Sequence, residues 1–352
     1  MVKMPHNIYI HVPFCMSKCN YCAFFSHACA NPDWEKFCTQ ICNEIEYWGQ
    51  KIPGTDVPTI FFGGGTPSLM PTWCIDKIIQ TIDKNFQIDK YAEITLESNP
   101  KTIDKQKLND IKKIGINRLS VGVQSFDDKK LEFLGRKHTA NDAIELIHNA
   151  QDIGLRVSGD FIYGTPNETV DDVINTCKQI NDIGLTHCSM YELTIEENTP
   201  FGRMNLSMPN NETMAQMYNA IYDNLNLNRY EVSNYATNGD ECKHNTNIWD
   251  GGAYIGIGQG AAGRPYINNT WYEQMGNYSL FEPMTDSERA IEMIITGMRT
   301  IRGCKRTPEI DKIINKKWVD EHDELVKITD DRICTTRSGM LILDDILVNI
   351  TG

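Results

Sequence analysis

The stretch His11-Val-Pro-Phe-Cys15-Met-Ser-Lys-Cys19-Asn-Tyr-Cys22 packs three cysteines into eight residues with the spacing C-x3-C-x2-C, directly after the β-rich run Ile8–Val12. Three thiolates on one short loop can hold three irons of a cubane and leave the fourth iron without a protein ligand. An open metal position is what substrate-binding metal chemistry needs. A structural zinc site is the competing reading. It asks for four protein ligands, and the nearest further candidates, His11, His27 and Cys29, lack the usual paired spacing.

Outward from this loop the chain alternates β-rich and amphipathic runs. The expected strands are Ile8–Val12, Thr59–Phe62, Ala92–Glu97, Arg118–Gln124, Val157–Tyr163 and Cys188–Leu193. Between them lie helical patterns at Trp34–Trp48, Trp73–Asn85, Lys105–Ile114, Asn141–Ile153 and Thr169–Ile183. Strands alternating with helices at this spacing read as βαβ units on a parallel sheet. Six units favour an α/β fold of the partial (β/α)6 barrel type, with a doubly wound sheet as the alternative. After about Thr199 the rhythm is lost: a helix at Glu212–Leu225, a run Tyr230–Ala236, and a glycine-rich stretch from Gly251 to Gly263. From Thr285 a small α+β appendage is expected. It would hold a helix over Glu288–Arg302 capped by Asp286 or Ser287, a second over Pro308–Glu321, and a strand-like Met340–Leu343. The organisation is thus a core over residues 1–284, with an extension from about 205, and a C-terminal unit over 285–352.

Composition narrows the function classes. The chain has 352 residues and a net charge of −13, which repels nucleic-acid backbones, and it shows no basic patch. No apolar run reaches the length of about 18 residues that would span a bilayer, and the N-terminal residues do not read as an export signal. A cytoplasmic, reducing setting is therefore expected, in which twelve cysteines are metal ligands or small buried hydrophobes rather than disulfides. Cys38 and Cys42, four apart on a helix, read as packing groups, and Trp34 and Trp48 as helix core.

Other unusual residues fall where barrels place their sites. Gly63-Gly64-Gly65-Thr66-Pro67 follows the second strand and lets backbone amides approach a ligand. Glu97 ends the third strand, Gln124 the fourth, and Asp160 lies in the fifth. Polar groups at the carboxyl ends of successive parallel strands converge on one mouth. Each singly has a plainer reading as a tight turn or a hydrogen-bonded rim residue.

The cysteine spacing after a first strand resembles the signature of the radical S-adenosylmethionine (SAM) superfamily. The segments YIHVPFCMSKCNYCAF, FFGGGTPS, ITLESNP, NRLSVGVQSF, LGRKH, DFIYGTP and YELTIEENTPF resemble, in this order, the oxygen-independent coproporphyrinogen III oxidase group. EVSNYA, HNTNIW and GAYIGIGQGAAG extend the likeness to Gly263. The resemblance implies a [4Fe–4S] cluster on Cys15, Cys19 and Cys22. It also implies SAM contacts at Tyr9, Tyr21, Gly64, Gly65, Thr66, Glu97, Gln124, Arg136 and Asp160, and an electron donor.

Within the group, the oxidases of porphyrin biosynthesis carry a longer N-terminal extension and a further cysteine after the three. Here fourteen residues precede Cys15, and Ala23 follows Cys22. Both features resemble the heme-chaperone branch, which binds heme and passes it to an acceptor protein. That branch reads H-N-x-x-Y-W, matched here by His244-Asn245-Thr246-Asn247-Ile248-Trp249 with isoleucine for tyrosine. Ala262 stands where relatives tend to have histidine. His244 as axial ligand and Trp249 against the porphyrin face are the implied heme contacts. Cys242 is a rival thiolate, and a hydrogen-bonded structural histidine is the plain alternative for His244. Porphyrinogen decarboxylation stays the alternative function.

Overall fold

In the computed structural model, which describes residues 4–276, 279 and 281–351, the first strand β1 (His6–Val12) shows how the barrel is made. Ile8, Ile10 and Val12 on one face are fully buried against the helix layer, while Tyr9 and His11 on the other face the barrel interior. Helix α1 (Trp34–Lys51) answers with Phe37, Ile41, Ile45 and Trp48 along one stripe, and Asp33 caps it by accepting from Lys36 N.

Five further strands repeat the pattern: β2 (Asp56–Gly64), β3 (Gln87–Ser98), β4 (Arg118–Gln124), β5 (Arg156–Tyr163) and β6 (His187–Glu192). The helices between and after them are α2 (Thr72–Asn85), α3 (Lys105–Lys113), α4 (Asp128–Phe133), α5 (Ala140–Asp152), α6 (Val170–Ile183) and α7 (Asn211–Asn224). All six strands are parallel and pair in chain order. Beyond β6 come β7 (Asn228–Arg229) and β8 (Asn234–Ala236), then α8 (Lys243–Trp249) and β9 (Ala253–Ile257). The nine strands form one sheet in the order β9-β1-β2-β3-β4-β5-β6-β8-β7, whose two edge strands do not pair with each other. The barrel is open, six βα units flanked by a parallel β9 on the β1 edge and an antiparallel β8 on the other.

The C-terminal part gathers around its own apolar cluster, including Ile294, Met298, Ile310, Val326, Ile333 and Ile346. It is tied to the barrel through Val232 N to Arg299 O (3.0 Å) and the Arg337–Asp223 ion pair (2.9 Å). Several elements differ from the sequence expectation. Tyr230–Ala236 is strand only at Asn234–Ala236. The helix expected to run to Arg302 is α9 (Asp286–Gly297), capped by Thr285 in a capping box with Glu288 rather than by Asp286 or Ser287. The run Pro308–Glu321 is two helices, α10 (Pro308–Ile313) and α11 (Lys316–Glu321). They are divided by an extended Ile314, after which Asn315 caps anew by accepting from Trp318 N at 3.1 Å.

Met340–Leu343 is not a strand. Thr336 caps α12 (Arg337–Met340), and α13 (Leu343–Ile350) buries Leu343, Ile346 and Ile350 on one face. The apolar run Met340-Leu-Ile-Leu343 follows a helical burial period behind a good cap rather than forming a strand.

Candidate functional site

The cysteine loop is tied down from several sides. Gly65 N donates to Val12 O at 2.7 Å and Thr66 N to Phe14 O at 2.8 Å, stitching the glycine turn of β2 to the loop after β1. Cys29 N reaches Cys15 O at 2.9 Å, and Asn20 donates through N and Nδ2 to Leu134 O (3.1 Å) and Phe133 O (2.8 Å) at the end of α4. The Phe14 ring wedges among His27, Trp34 and Phe37. Gly65 has no room for a side chain: a Cβ there would lie 2.6 Å from Phe14 O and 3.0 Å from Cys15 Sγ.

The donor set fits a cubane. Cys15 is buried while Cys19 and Cys22 are half-buried, all on one loop lining one cavity. Among the described residues, no three His, Cys, Asp or Glu side chains converge as ligands of a single ion would. A cubane asks instead for thiolates on three separate irons.

That cavity, about 420 Å³, opens at the carboxyl ends of the strands. Its walls include Cys15, Cys19, Tyr21, Cys22, Gly64, Gly65, Thr66, Glu97, Gln124, Arg136 and Asp160, so eleven of the fourteen expected residues meet there. Gly64 sits at φ +112, and its N–H donates to Glu97 Oε2 at 3.1 Å. Burial, with Asp160 adding like charge, pushes the Glu97 carboxyl up to about 8. Asp160 accepts from Ser189 (2.7 Å) and Ser120 (2.9 Å), yet burial still holds its pKa above the usual range. The mouth therefore places two carboxyl groups, both with raised pKa, where a cationic ligand would relieve their burial. Gln124 is in the left-handed region at φ 66, where the β4–β5 register shifts; such strain in a non-glycine residue costs of order 1–3 kcal/mol.

Three expected residues are elsewhere. Tyr9 lies under the glycine turn, its hydroxyl 3.0 Å from His11 Nδ1. His244 is buried below the barrel beside Thr59 of β2, with the Tyr9 ring (6.5 Å between centroids) lying between it and the glycine turn. Thr59 Oγ donates to Asn7 Oδ1 (2.8 Å), so His244 Nδ1–H donates to Thr59 Oγ (2.7 Å), and the Phe61 ring lies 5.0 Å away. Burial lowers the His244 pKa to about 4. Trp249 is half-buried beneath the Arg299 guanidinium (5.8 Å). Cys242 is buried against Glu93.

Sequence reasoning missed Asn99, which donates to Thr66 Oγ at 3.0 Å, and Gly122 and Tyr191 on the same walls. Asn99 carried a signal, standing two residues after Glu97 at the same strand end. A separate polar groove of about 510 Å³ around Lys130 and Glu168 holds none of the expected residues.

A three-cysteine loop over the mouth of an open parallel barrel defines a class, and residues 9–180 match the radical SAM superfamily. The heme chaperone HemW of Escherichia coli is 36% identical over 270 residues, covering 75% of this chain and 71% of the relative. HemW of Bacillus subtilis is 32% identical over 321 residues, covering 85% and 84%. The coproporphyrinogen III oxidase HemN of Escherichia coli superposes with a TM-score of 0.83 at 19% identity, over 100% of this chain and 91% of that one, a likeness of fold. The chain belongs to the HemW family of radical SAM proteins.

Proposed function

We propose that the chain is a heme chaperone that holds a [4Fe–4S] cluster on Cys15, Cys19 and Cys22, takes SAM into the barrel mouth, and passes heme to an acceptor protein. The observation that supports this most is the convergence of the cluster cysteines, the glycine turn, Glu97, Gln124, Arg136 and Asp160 on one cavity. In this reading Gly64, Gly65 and Thr66 offer backbone close to the ligand, and Glu97 and Asp160 face its positive charge. Tyr21 and Arg136 complete the wall beside Cys19. Bound together, a cluster and SAM supply one-electron reductive cleavage of a sulfonium bond, for which an electron donor is needed.

The branch choice rests on Ala23, exposed at the cavity where an oxidase has a further cysteine, and on the curated relatives, which are named as heme chaperones. Among the described residues no helix is long and apolar enough to cross a membrane. We place the protein in the cytoplasm. Heme ligation by His244, with Trp249 nearby, belongs to this proposal. It requires α8 to move, because the ring is only 3% exposed and bonded to Thr59. The tautomer set by Thr59 leaves Nε2 as the nitrogen with a free lone pair, the form an iron would take.

The test is anaerobic reconstitution followed by heme titration of wild type and His244→Ala. Heme uptake near one per chain, with absorption bands shifted in the variant, is expected. Identical bands would remove His244, and no uptake by a cluster-loaded protein would remove the chaperone reading. Conversion of coproporphyrinogen III in the presence of SAM and reductant would favour the decarboxylase instead.

A further inference from the structure

The three cluster cysteines are not equivalent. Cys19 Sγ receives Arg136 Nη1 at 3.3 Å, and Tyr21 stands beside both on the same cavity wall. Lys18, the cation within the loop itself, is turned to Phe24 O (2.9 Å) and Ser26 Oγ (2.9 Å). Arg136 is fixed from behind by Gly122 O at 2.9 Å and by Asn99 Oδ1. A Cβ at Gly122 would come within 3.1 Å of that guanidinium, so the backbone there is cut to fit it.

The partners of Arg136 are the Cys19 sulfur, an amide oxygen and a carbonyl, with no carboxylate hydrogen-bonded to it, and among the described residues its buried Nε has no hydrogen-bond partner. A guanidinium half-buried in a cavity wall, with its Nε shut off from solvent and no carboxylate bonded to it, is favoured by negative charge arriving beside it. An anionic cluster bonded through Cys19 is such a charge.

We propose that Arg136, assisted by Tyr21, is a positioning residue that sets the reduction potential of the cluster through Cys19. The inference rests on the cluster assigned above. Reduction adds one electron from an external donor to an already anionic centre. A nearby cation that donates an N–H···S bond stabilises the more electron-rich form, and a hydroxyl dipole beside the sulfur adds to it, so both raise the potential. The sequence resemblance assigns Arg136 to SAM; the geometry ties it to the sulfur as well. SAM binding and electron uptake would then share one side chain.

The experiment is an EPR-monitored redox titration, without SAM, of anaerobically reconstituted wild type, Arg136→Gln, Arg136→Lys and Tyr21→Phe, each with iron and sulfide measured. Arg136→Gln should lower the reduced-to-oxidised ratio at a fixed potential at least tenfold, which is 59 mV for a one-electron couple. Arg136→Lys should fall between, keeping charge but losing the fork, and Tyr21→Phe should shift less in the same direction. Pulsed EPR on reduced wild type labelled with 15N-arginine should show a weak 15N coupling that Arg136→Lys loses. Equal potentials in fully loaded wild type and Arg136→Gln would overturn the proposal. So would a labelled wild type without coupling, a result that needs no variant to fold. Absence of a cluster in wild type, seen in its iron content, would instead mark failure of the underlying assignment.

Discussion

Replacing Glu97 with glutamine should move two measurable quantities in opposite directions. The amide oxygen of glutamine can still accept the Gly64 N–H, so the turn is kept while the ionisable group is lost. In the folded protein the carboxyl is raised from its ordinary 4.5 to about 8 by burial and then by Asp160. Between those values the folded state binds more protons than the unfolded one, so stability falls as pH rises from about 4.5 through about 8. At about 1.4 kcal/mol per pH unit the upper bound is near 5 kcal/mol, and solvent in the open cavity reduces this to about 1–3 kcal/mol. Urea unfolding of the cluster-free protein should therefore find Glu97→Gln more stable than wild type at pH 8 by about 1–3 kcal/mol. At pH 5 the two should agree within about 0.5 kcal/mol. Asp160 titrates in both proteins, so the difference between them is the quantity to read. In the cluster-loaded protein the same variant should bind SAM more weakly by about 1.5–3 kcal/mol through loss of a charge-assisted hydrogen bond. Parallel pH profiles for the two proteins would refute the burial argument, and unchanged SAM affinity would take Glu97 out of the site.

Single replacement of Cys15, Cys19 or Cys22 by alanine should drop iron from about four per chain toward none, because a three-thiolate site has no spare ligand. A full iron complement in the triple variant would move attention to the nine other cysteines. Thr59→Val should cost about 1–3 kcal/mol in urea unfolding, by leaving a buried His244 N–H without its acceptor. A stability equal to wild type would mean that the ring is not held as described.

Six strands and five of the helices between them were legible because their signals are local: short β-rich runs at β1 to β6 and a 3.6-residue stripe in α1, α2, α3, α5 and α6, whereas the six-residue α4 was not read. The cluster loop was legible because ligand spacing is local too. What escaped depends on distant partners. Ala253-Tyr-Ile-Gly-Ile257 becomes a seventh parallel strand only because β1 offers an edge, with Ile8 set against Ile255. The left-handed backbone of Gln124 is imposed by a register shift between β4 and β5, for which glutamine gives no hint. In the C-terminal part the helices are four to twelve residues long, so caps such as Thr336 and Asn315 outweigh periodicity. His244 was recognised as a motif residue, but which end of the barrel it occupies is decided by how residues 230–250 cross beneath the strands.

The two ends of the barrel differ in how their charges are satisfied, and this difference separates structure from site. At the floor, Arg156 bonds Glu93 at 2.8 Å and also Asp240, and Glu93 accepts the His244 N–H at 3.0 Å. His187 links Ser158 (2.7 Å) to the Tyr230 hydroxyl (2.8 Å). Burial favours a neutral Glu93, yet Arg118, the His244 amide and Arg156 together outweigh it and hold the carboxyl below its ordinary range. A network so completed gains nothing from a further ligand, and opening it to heme means breaking bonds already made. At the mouth the balance is reversed: burial pushes the Glu97 carboxyl up to about 8, and Asp160 is raised despite its serines. Those groups lower their free energy when a ligand brings the missing charge. The mouth is thus the end at which a bound ligand would gain most. On the proposed function, heme that reaches His244 would have to displace α8 from the floor, because the ring is 3% exposed and bonded to Thr59.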